Sequence, residues 1–347
     1  MNKKTRTIIQ YIFFFALGLL FVWLSLKNLN KENIAQIKKS FYGAKYWLIL
    51  PVFGLLILSH IIRAYRWKLL IEPLGYKVST LNAFFAVMIG YLVNQGVPRL
   101  GEVIKCSMLN RYEKVPLDTL IGTVIVERLV DGLSFLTVLG ITFALQPGLY
   151  SQLVDSLFSK PGETNVDTLP GYIILLGFLL IIAVATAAWM ILKRKTFKDL
   201  LLLLKKIGLH IWQGITSVKH LRRRGLFIVL SVLLWTIYLI SGYIGFFAFA
   251  ETAHYGMKEA FTVLSAGTFG MLAAPGGIGA YAFLVEKAMM VYGLNAGVAL
   301  AFGWILWIVT FAVIVMGGLI SFVVMPYYNK HRKIEESRID TAENTFS

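Results

Sequence analysis

Long apolar blocks separated by short polar breaks dominate the chain. Residues 8–26 are predominantly apolar for 19 residues, and 173–192 and 226–250 run as long or longer. Each approaches the roughly 20 residues that carry a helix across a bilayer core about 30 Å thick. The blocks predict full spans at 8–26, 46–70, 117–145, 170–192, 225–249 and 296–325.

Two further segments read differently. Residues 79–114 are apolar to Val93 and then break at Asn94-Gln95-Gly96-Val97-Pro98-Arg99-Leu100-Gly101-Glu102 before a mixed helical stretch. Residues 258–292 are apolar to Ala274, break at Pro275-Gly276-Gly277-Ile278-Gly279, and resume as a helix to Tyr292. A helix interrupted at membrane depth frees backbone groups that must find partners in protein or in a water-filled cavity. Both segments therefore predict re-entrant hairpins lining a cavity.

Sliding the chain on itself by 177 residues places Ala83 on Ala260, Phe84 on Phe261, Gly90 on Gly267, Pro98 on Pro275 and Leu117 on Leu294. In both halves a span, a half-helix, a Pro/Gly break, a second half-helix and a long span follow in that order. The expected fold is an all-α polytopic membrane protein of about six spans plus two re-entrant hairpins in an inverted repeat, the layout of many secondary transporters. Residues 1–325 form one transmembrane domain in this reading, with repeat units near 46–145 and 225–325. A basic linker covers 193–224 and a polar tail 326–347.

Charge orients this arrangement. Loop 193–224 carries ten basic residues and one acid, whereas loop 146–169 carries one basic residue and three acids. The first belongs in the cytoplasm and the second outside. Both termini then lie inside, the hairpin 79–114 enters from the cytoplasm and the hairpin 258–292 from outside. The N-terminal charge of +3 over residues 1–7 agrees, while the +4 loop 27–45 does not. Residues 8–26 are too long for a signal h-region and lack a small-residue cleavage site, so they read as an uncleaved first span. Segment 196–222 reads as an amphipathic surface helix, either a connector or a gatherer of anionic head groups.

Composition narrows the class further. The chain is 347 residues, 57% hydrophobic and 15% charged, against about 25% charged for a soluble domain. Its net charge of +16 sits at the ends of apolar blocks and in one loop, which fits head groups and topology rather than nucleic acid. The single cysteine, Cys106, and five scattered histidines give no metal-ligand spacing, so no metal or cofactor is expected.

Glu127, Arg128 and Asp131 stand inside the apolar block 117–145. Glu127 lies roughly 15 Å along the helix from residue 117, near mid-depth. Glu127 and Asp131, four apart, share a face, and Arg128 is three from Asp131, so the three can form one cluster. Buried charges at that depth pair and face the interior, either as an ion-pair staple or as a head-group or coupling site.

Arg99, with Asn94, Gln95, Pro98, Gly101, Glu102 and Lys105 around it, offers a planar fork suited to phosphate, at a helix start with free N–H groups. The alternative is that Arg99 and Glu102 cap the helix and pair together. Pro275, Gly276, Gly277 and Gly279 predict a tight re-entrant turn rather than a nucleotide loop, since no Lys-Ser/Thr follows. Glu286 and Lys287 follow on the second half-helix. Arg63 and Arg66 beside Trp67 read as interfacial anchors or as phosphate contacts.

At these residues the chain resembles a known family. Arg63-Ala-Tyr-Arg66-Trp67, Pro98-Arg99-Leu-Gly101-Glu102, Glu127-Arg128-Leu-Val-Asp131 and Pro275-Gly-Gly-Ile-Gly279 look like the flippase-like transmembrane domain family. That family includes the membrane region of the bifunctional lysylphosphatidylglycerol synthase, which moves an aminoacylated lipid between leaflets. No synthase half follows residue 325, so the resemblance implies no aminoacyl transfer. Family members often carry a glutamate three residues after the second break, where this chain has Ala282, and Glu286 one turn further along is the candidate substitute.

The function expected is translocation of an anionic or modified phospholipid or lipid-linked head group. Arg99, Arg63, Arg66, Asn94, Gln95 and Lys105 would hold the head group, and Glu102, Glu127, Arg128, Asp131 and Glu286 would gate or couple. The alternatives are a membrane enzyme acting on a lipid-linked sugar or phosphate, and a membrane partner of a lipid-modifying enzyme. Membrane lipids are the expected partners, with a separate lipid-modifying enzyme and a second copy as candidate protein partners. The bacterial inner (plasma) membrane is the location that the resemblance implies.

Overall fold

The computed structural model describes residues 16–27, 30–146, 148, 221 and 223–346, with side chains described as far as residue 332. Ten α-helices account for most of them: α1 (Ala16–Leu26), α2 (Lys31–Gly43), α3 (Ile49–Ile71), α4 (Thr80–Gly96), α5 (Leu100–Glu113), α6 (Leu117–Leu145), α7 (Arg224–Phe246), α8 (Met257–Ala273), α9 (Ala280–Met290) and α10 (Ala296–Phe346). Three stretches, Tyr46–Leu74, Arg224–Phe246 and Ala296–Arg332, are long and apolar enough to cross a membrane. The protein is an all-helical, multi-pass membrane protein. Helix α6, with 29 residues, is as long as the stretch Tyr46–Leu74 but carries Asp118, Glu127, Arg128 and Asp131.

Proline chemistry ends the helices where the pattern breaks. Val97 and Ala274, each immediately before a proline, are extended at φ −132° in both cases, because Cδ of the proline disfavours helical geometry in the residue before it. A left-handed residue follows in each break: Arg99 at φ +66°, and Gly276, Gly277 and Gly279 at +58° to +70°. Helix α5 ends instead on left-handed Lys114, and Pro116 stands as the N-cap of α6.

The half-helices correspond end to end. Helices α4 and α8 each have 17 residues, running from 80 to 96 and from 257 to 273, and α5 and α9 finish at 113 and 290. These limits coincide under the 177-residue shift that the sequence suggests. In each pair the arms fold back against one another, α4 on α5 and α8 on α9.

Two apolar cores result. One, around Trp67, Val87, Cys106, Leu109 and Leu120, joins α3 to α6. The other, around Phe246, Phe249, Val285, Met289 and Phe302, joins α7 to α10. Helix α10 packs on both hairpins through small residues: Gly318 lies 2.6 Å from Leu92, and Gly303 lies 2.8 Å from the Ala282 carbonyl, each measured from a Cβ placed on the glycine. Small residues let membrane helices approach closely where burial from lipid supplies no hydrophobic drive. The predicted span 170–192 and the segment 196–222, apart from Leu221, lie outside the described residues.

Candidate functional site

Five ionisable side chains from three helices meet where α3, α5 and α6 pack. Arg63 and Arg66 project from α3, Lys105 from α5, and Glu127 and Asp131 from α6. Arg63 donates through Nη1 to Glu127 Oε1 at 3.3 Å and to Asp131 Oδ2 at 2.6 Å. Arg66 donates to Asp131 Oδ1 and lies 3.8 Å from Glu127 Oε1. Lys105 closes the cluster by donating to Glu127 Oε2 at 2.6 Å. Glu127 and Arg66 are wholly buried, and Arg63 and Lys105 nearly so.

Neutral groups complete the shell. Tyr238 and Ser231, on α7, accept from Arg63 Nη2 at 3.0 Å and Arg66 Nη1 at 3.2 Å. Lys105 Nζ lies 4.0 Å from the centre of the Trp67 ring, whose own N–H donates to Thr123 at 2.9 Å. The guanidinium groups of Arg63 and Arg66 face the rings of Tyr91 and Phe227 at 5.5 and 5.7 Å. Aromatic faces attract cations more strongly once water is excluded.

The charges do not balance. Among the described residues the cluster holds three cations against two carboxylates, and the Nε groups of Arg63 and Arg66 are buried without an acceptor. Spare donors and one surplus positive charge in a low-dielectric setting suit a single anion.

Several sequence expectations require correction. Arg63 and Arg66 do not reach out as interfacial anchors; the two α6 carboxylates draw them inward. Arg128 does not join Glu127 and Asp131. It lies 3.2 Å from Glu102 instead and is 42% exposed, because consecutive helix positions point about 100° apart. Glu102 therefore pairs with Arg128 rather than with Arg99.

Arg99 stands exposed at the hairpin tip, with no hydrogen-bond or ion-pair partner among the described residues. Asn94 is occupied structurally, accepting from the Gly101 N–H at 2.8 Å and facing Glu102 at 3.4 Å. Gly101 packs against the Gly90 backbone so closely that a Cβ there would overlap its carbonyl oxygen. Pro98 shapes the break.

The second break meets the first. Gln95 abuts Gly276, with its Oε1 buried and unpartnered among the described residues, and the Gly276 carbonyl accepts from Trp307 Nε1 at 2.8 Å. Gly277 and Gly279 pack tightly on Met271 and on Gly18 and Val22. Glu286 stands apart from the five-residue cluster: it pairs with Lys287 at 3.1 Å and leaves its Oε2 buried without a partner among the described residues.

Sequence reasoning missed Tyr238, Ser231 and Tyr91. Ser231 and Tyr238 are seven residues apart, so both lie on one face of an otherwise apolar helix, which is the signal that marks them. It also missed the polar pins at the hairpin bases. At the base of α4–α5, Glu113 accepts from Asn82 at 2.5 Å, the Ser79 N–H at 3.1 Å and Arg332 at 3.0 Å, while Asn82 and Asn329 exchange amide hydrogen bonds. At the base of α8–α9, Gln146 donates to Thr262 at 3.1 Å and accepts from Tyr292, and Thr262 and Tyr292 lie 2.7 Å apart.

The sequence of the lysylphosphatidylglycerol synthase TM region family matches residues 11–318. Over 91 residues the chain is 34% identical to the UPF0104 membrane protein MJ1595 of Methanocaldococcus jannaschii, covering 25% of this chain and 27% of that one. The chain thus aligns with about a quarter of that relative's length. No solved structure matches. With the match spanning most of the chain and all four broken or charged segments inside it, the protein belongs to the family of lysylphosphatidylglycerol synthase transmembrane regions.

Proposed function

We propose that the protein is a lipid translocase that carries an anionic phospholipid or lipid-linked head group between leaflets. One observation supports this above all: a buried cluster of three cations and two carboxylates, one positive charge in excess, beside a broken hairpin. Charge is costly at membrane depth unless it serves a polar path. Arg99 at the hairpin tip would capture the phosphate, and the excess charge of the cluster would stabilise it during passage. Glu102 and Arg128 would gate the approach.

The hairpins α4–α5 and α8–α9 are re-entrant in this reading and enter from opposite faces. Their matched lengths and the contact of Gln95 with Gly276 support that arrangement. Six crossings then place both termini in the cytoplasm of a bacterial inner membrane, and residues 1–325 form one domain built of two inverted repeats.

The test is leaflet exchange in proteoliposomes, read as access of a membrane-impermeant quencher to fluorescent phosphatidylglycerol. Wild type should exchange the lipid, and Arg99→Ala should abolish exchange while inserting normally. Undiminished exchange in Arg99→Ala would overturn the site assignment. A chemically altered lipid would point to the enzyme reading instead.

A further inference from the structure

A groove of about 360 Å³ runs between α6 and α7 and reaches α8. Its volume falls within the range of ligand pockets. On α7 its wall runs from Phe227 to Leu239, a length of about 18 Å at 1.5 Å per residue. That exceeds the roughly 15 Å of one hydrocarbon leaflet. The wall is mostly apolar, and its outward residues Ile228 and Val232 are exposed on a helix long enough to span the bilayer.

The groove shares two wall residues with the charged cluster. Phe227 and Ser231 line it, and these same residues meet the Arg66 guanidinium, as a ring face and as an acceptor at 3.2 Å. Its hydroxyls at Ser134, Thr137, Ser231 and Thr236 all donate back to their own helices. One donor is left over. Trp235 lines the groove, and its indole N–H is buried without an acceptor among the described residues, a state that leaves the cost of removing it from water unrecovered.

We infer that this groove holds one ester-linked acyl chain of a glycerophospholipid, with the ester carbonyl accepting from Trp235 and the phosphate held towards Arg66 and Arg63. The inference rests on the translocase reading for the head group, and it names what that reading leaves open: the lipid class and where its tail lies. The surplus positive charge matches a phosphodiester, and the apolar slot matches a chain rather than a peptide, which would bring unpaired backbone groups into it.

The test places a photoreactive benzoylphenylalanine at exposed Thr236 in the full chain, held in nanodiscs of diester phosphatidylglycerol. Irradiation should give an adduct with the mass of one phospholipid. Cross-links to another segment of the chain, or to a second copy, would show a different occupant and overturn the inference. In a competition assay, wild type should prefer diester over diether phosphatidylglycerol about five- to tenfold, and Trp235→Phe should erase that preference. An unchanged preference would remove Trp235 from the site.

Leaflet exchange on the same preparation separates the two ideas. A lipid adduct without exchange leaves the groove assigned and refutes translocation. Exchange without a lipid adduct does the reverse.

Discussion

The hairpins α4–α5 and α8–α9 share a backbone and differ in chemistry. Both pair a 17-residue arm with a second arm across a break in which an extended residue precedes proline and a left-handed residue follows. Under the same shift, Lys105 falls on Ala282, Glu102 on Gly279 and Leu109 on Glu286. The first hairpin therefore sends a cation into the five-residue cluster, while the second presents a methyl group at the matching point and keeps its own charges as the neighbouring pair Glu286 and Lys287. Prolines and small residues make the shape; one hairpin alone supplies the charge. Two hairpins of matching outline thus differ in charge: one reaches the five-residue cluster and the other does not.

The strongest test of that division removes a carboxylate from each side. Glu127→Gln leaves Lys105, Arg63 and Arg66 buried beside one remaining carboxylate, and breaking a buried pair costs about 3–5 kcal/mol. Glu286→Gln disrupts a single buried pair whose carboxylate already lacks one partner among the described residues, and should cost less, about 1–3 kcal/mol. Thermal unfolding in detergent reads both. Equal losses would show that the second hairpin carries as much electrostatic work as the first. The double change Glu127→Leu with Lys105→Leu should recover much of the loss, since a packed apolar pair often matches a buried ion pair.

The next test concerns the seams within each hairpin. A methyl group at Gly101 would meet the Gly90 carbonyl and lie 2.6 Å from Asn94. Backbone cannot turn aside, so Gly101→Ala should cost about 3 kcal/mol, the upper part of the range for overpacking. At Gly267 the methyl group would meet the Tyr281 ring at 2.6 Å. A ring can swing, and Gly267→Ala should cost about 1 kcal/mol, the lower end of that range. A reversed order would mean that the second seam is the stiffer one.

Much of this arrangement was legible in the sequence. The limits of α6 fall where the apolar block 117–145 predicts them, and both breaks fall at their Pro/Gly runs, because apolar run length and proline geometry act locally. The inward pairing of Glu127 and Asp131 was equally legible, since charge inside a span needs partners. Their partners were not. Spacing within α6 suggested Arg128, but a helix directs adjacent residues to different neighbours, and only packing reveals that α3 and α5 bring Arg63, Arg66 and Lys105 to the carboxylates. Ser231 and Tyr238 share one face of α7, a signal that marks the face but does not name its partners. The Glu113 and Gln146 pins include partners more than a hundred positions away, Arg332 and Thr262, beyond any periodicity in the chain.

Those pins give the smallest and most discriminating difference. The base of the first hairpin depends on one carboxylate, Glu113, which accepts from Asn82, the Ser79 N–H and Arg332. Glu113→Gln keeps the shape and an acceptor but weakens every charge-assisted bond, for a loss of about 1.5 kcal/mol, the lower figure for hydrogen bonds to charged groups. The base of the second hairpin is uncharged. Tyr292→Phe removes its hydroxyl from Gln146 and Thr262, yet those two still bond each other at 3.1 Å. Interhelical hydrogen bonds within membranes average about 0.6 kcal/mol, and that is the loss expected here. Salt distinguishes the two further. Arg332 is 39% exposed, so raising ionic strength should narrow the gap between wild type and Glu113→Gln while leaving that of Tyr292→Phe unchanged. If both variants respond to salt alike, the charged base of the first hairpin is not a distinct device, and the division between the halves is confined to the five-residue cluster.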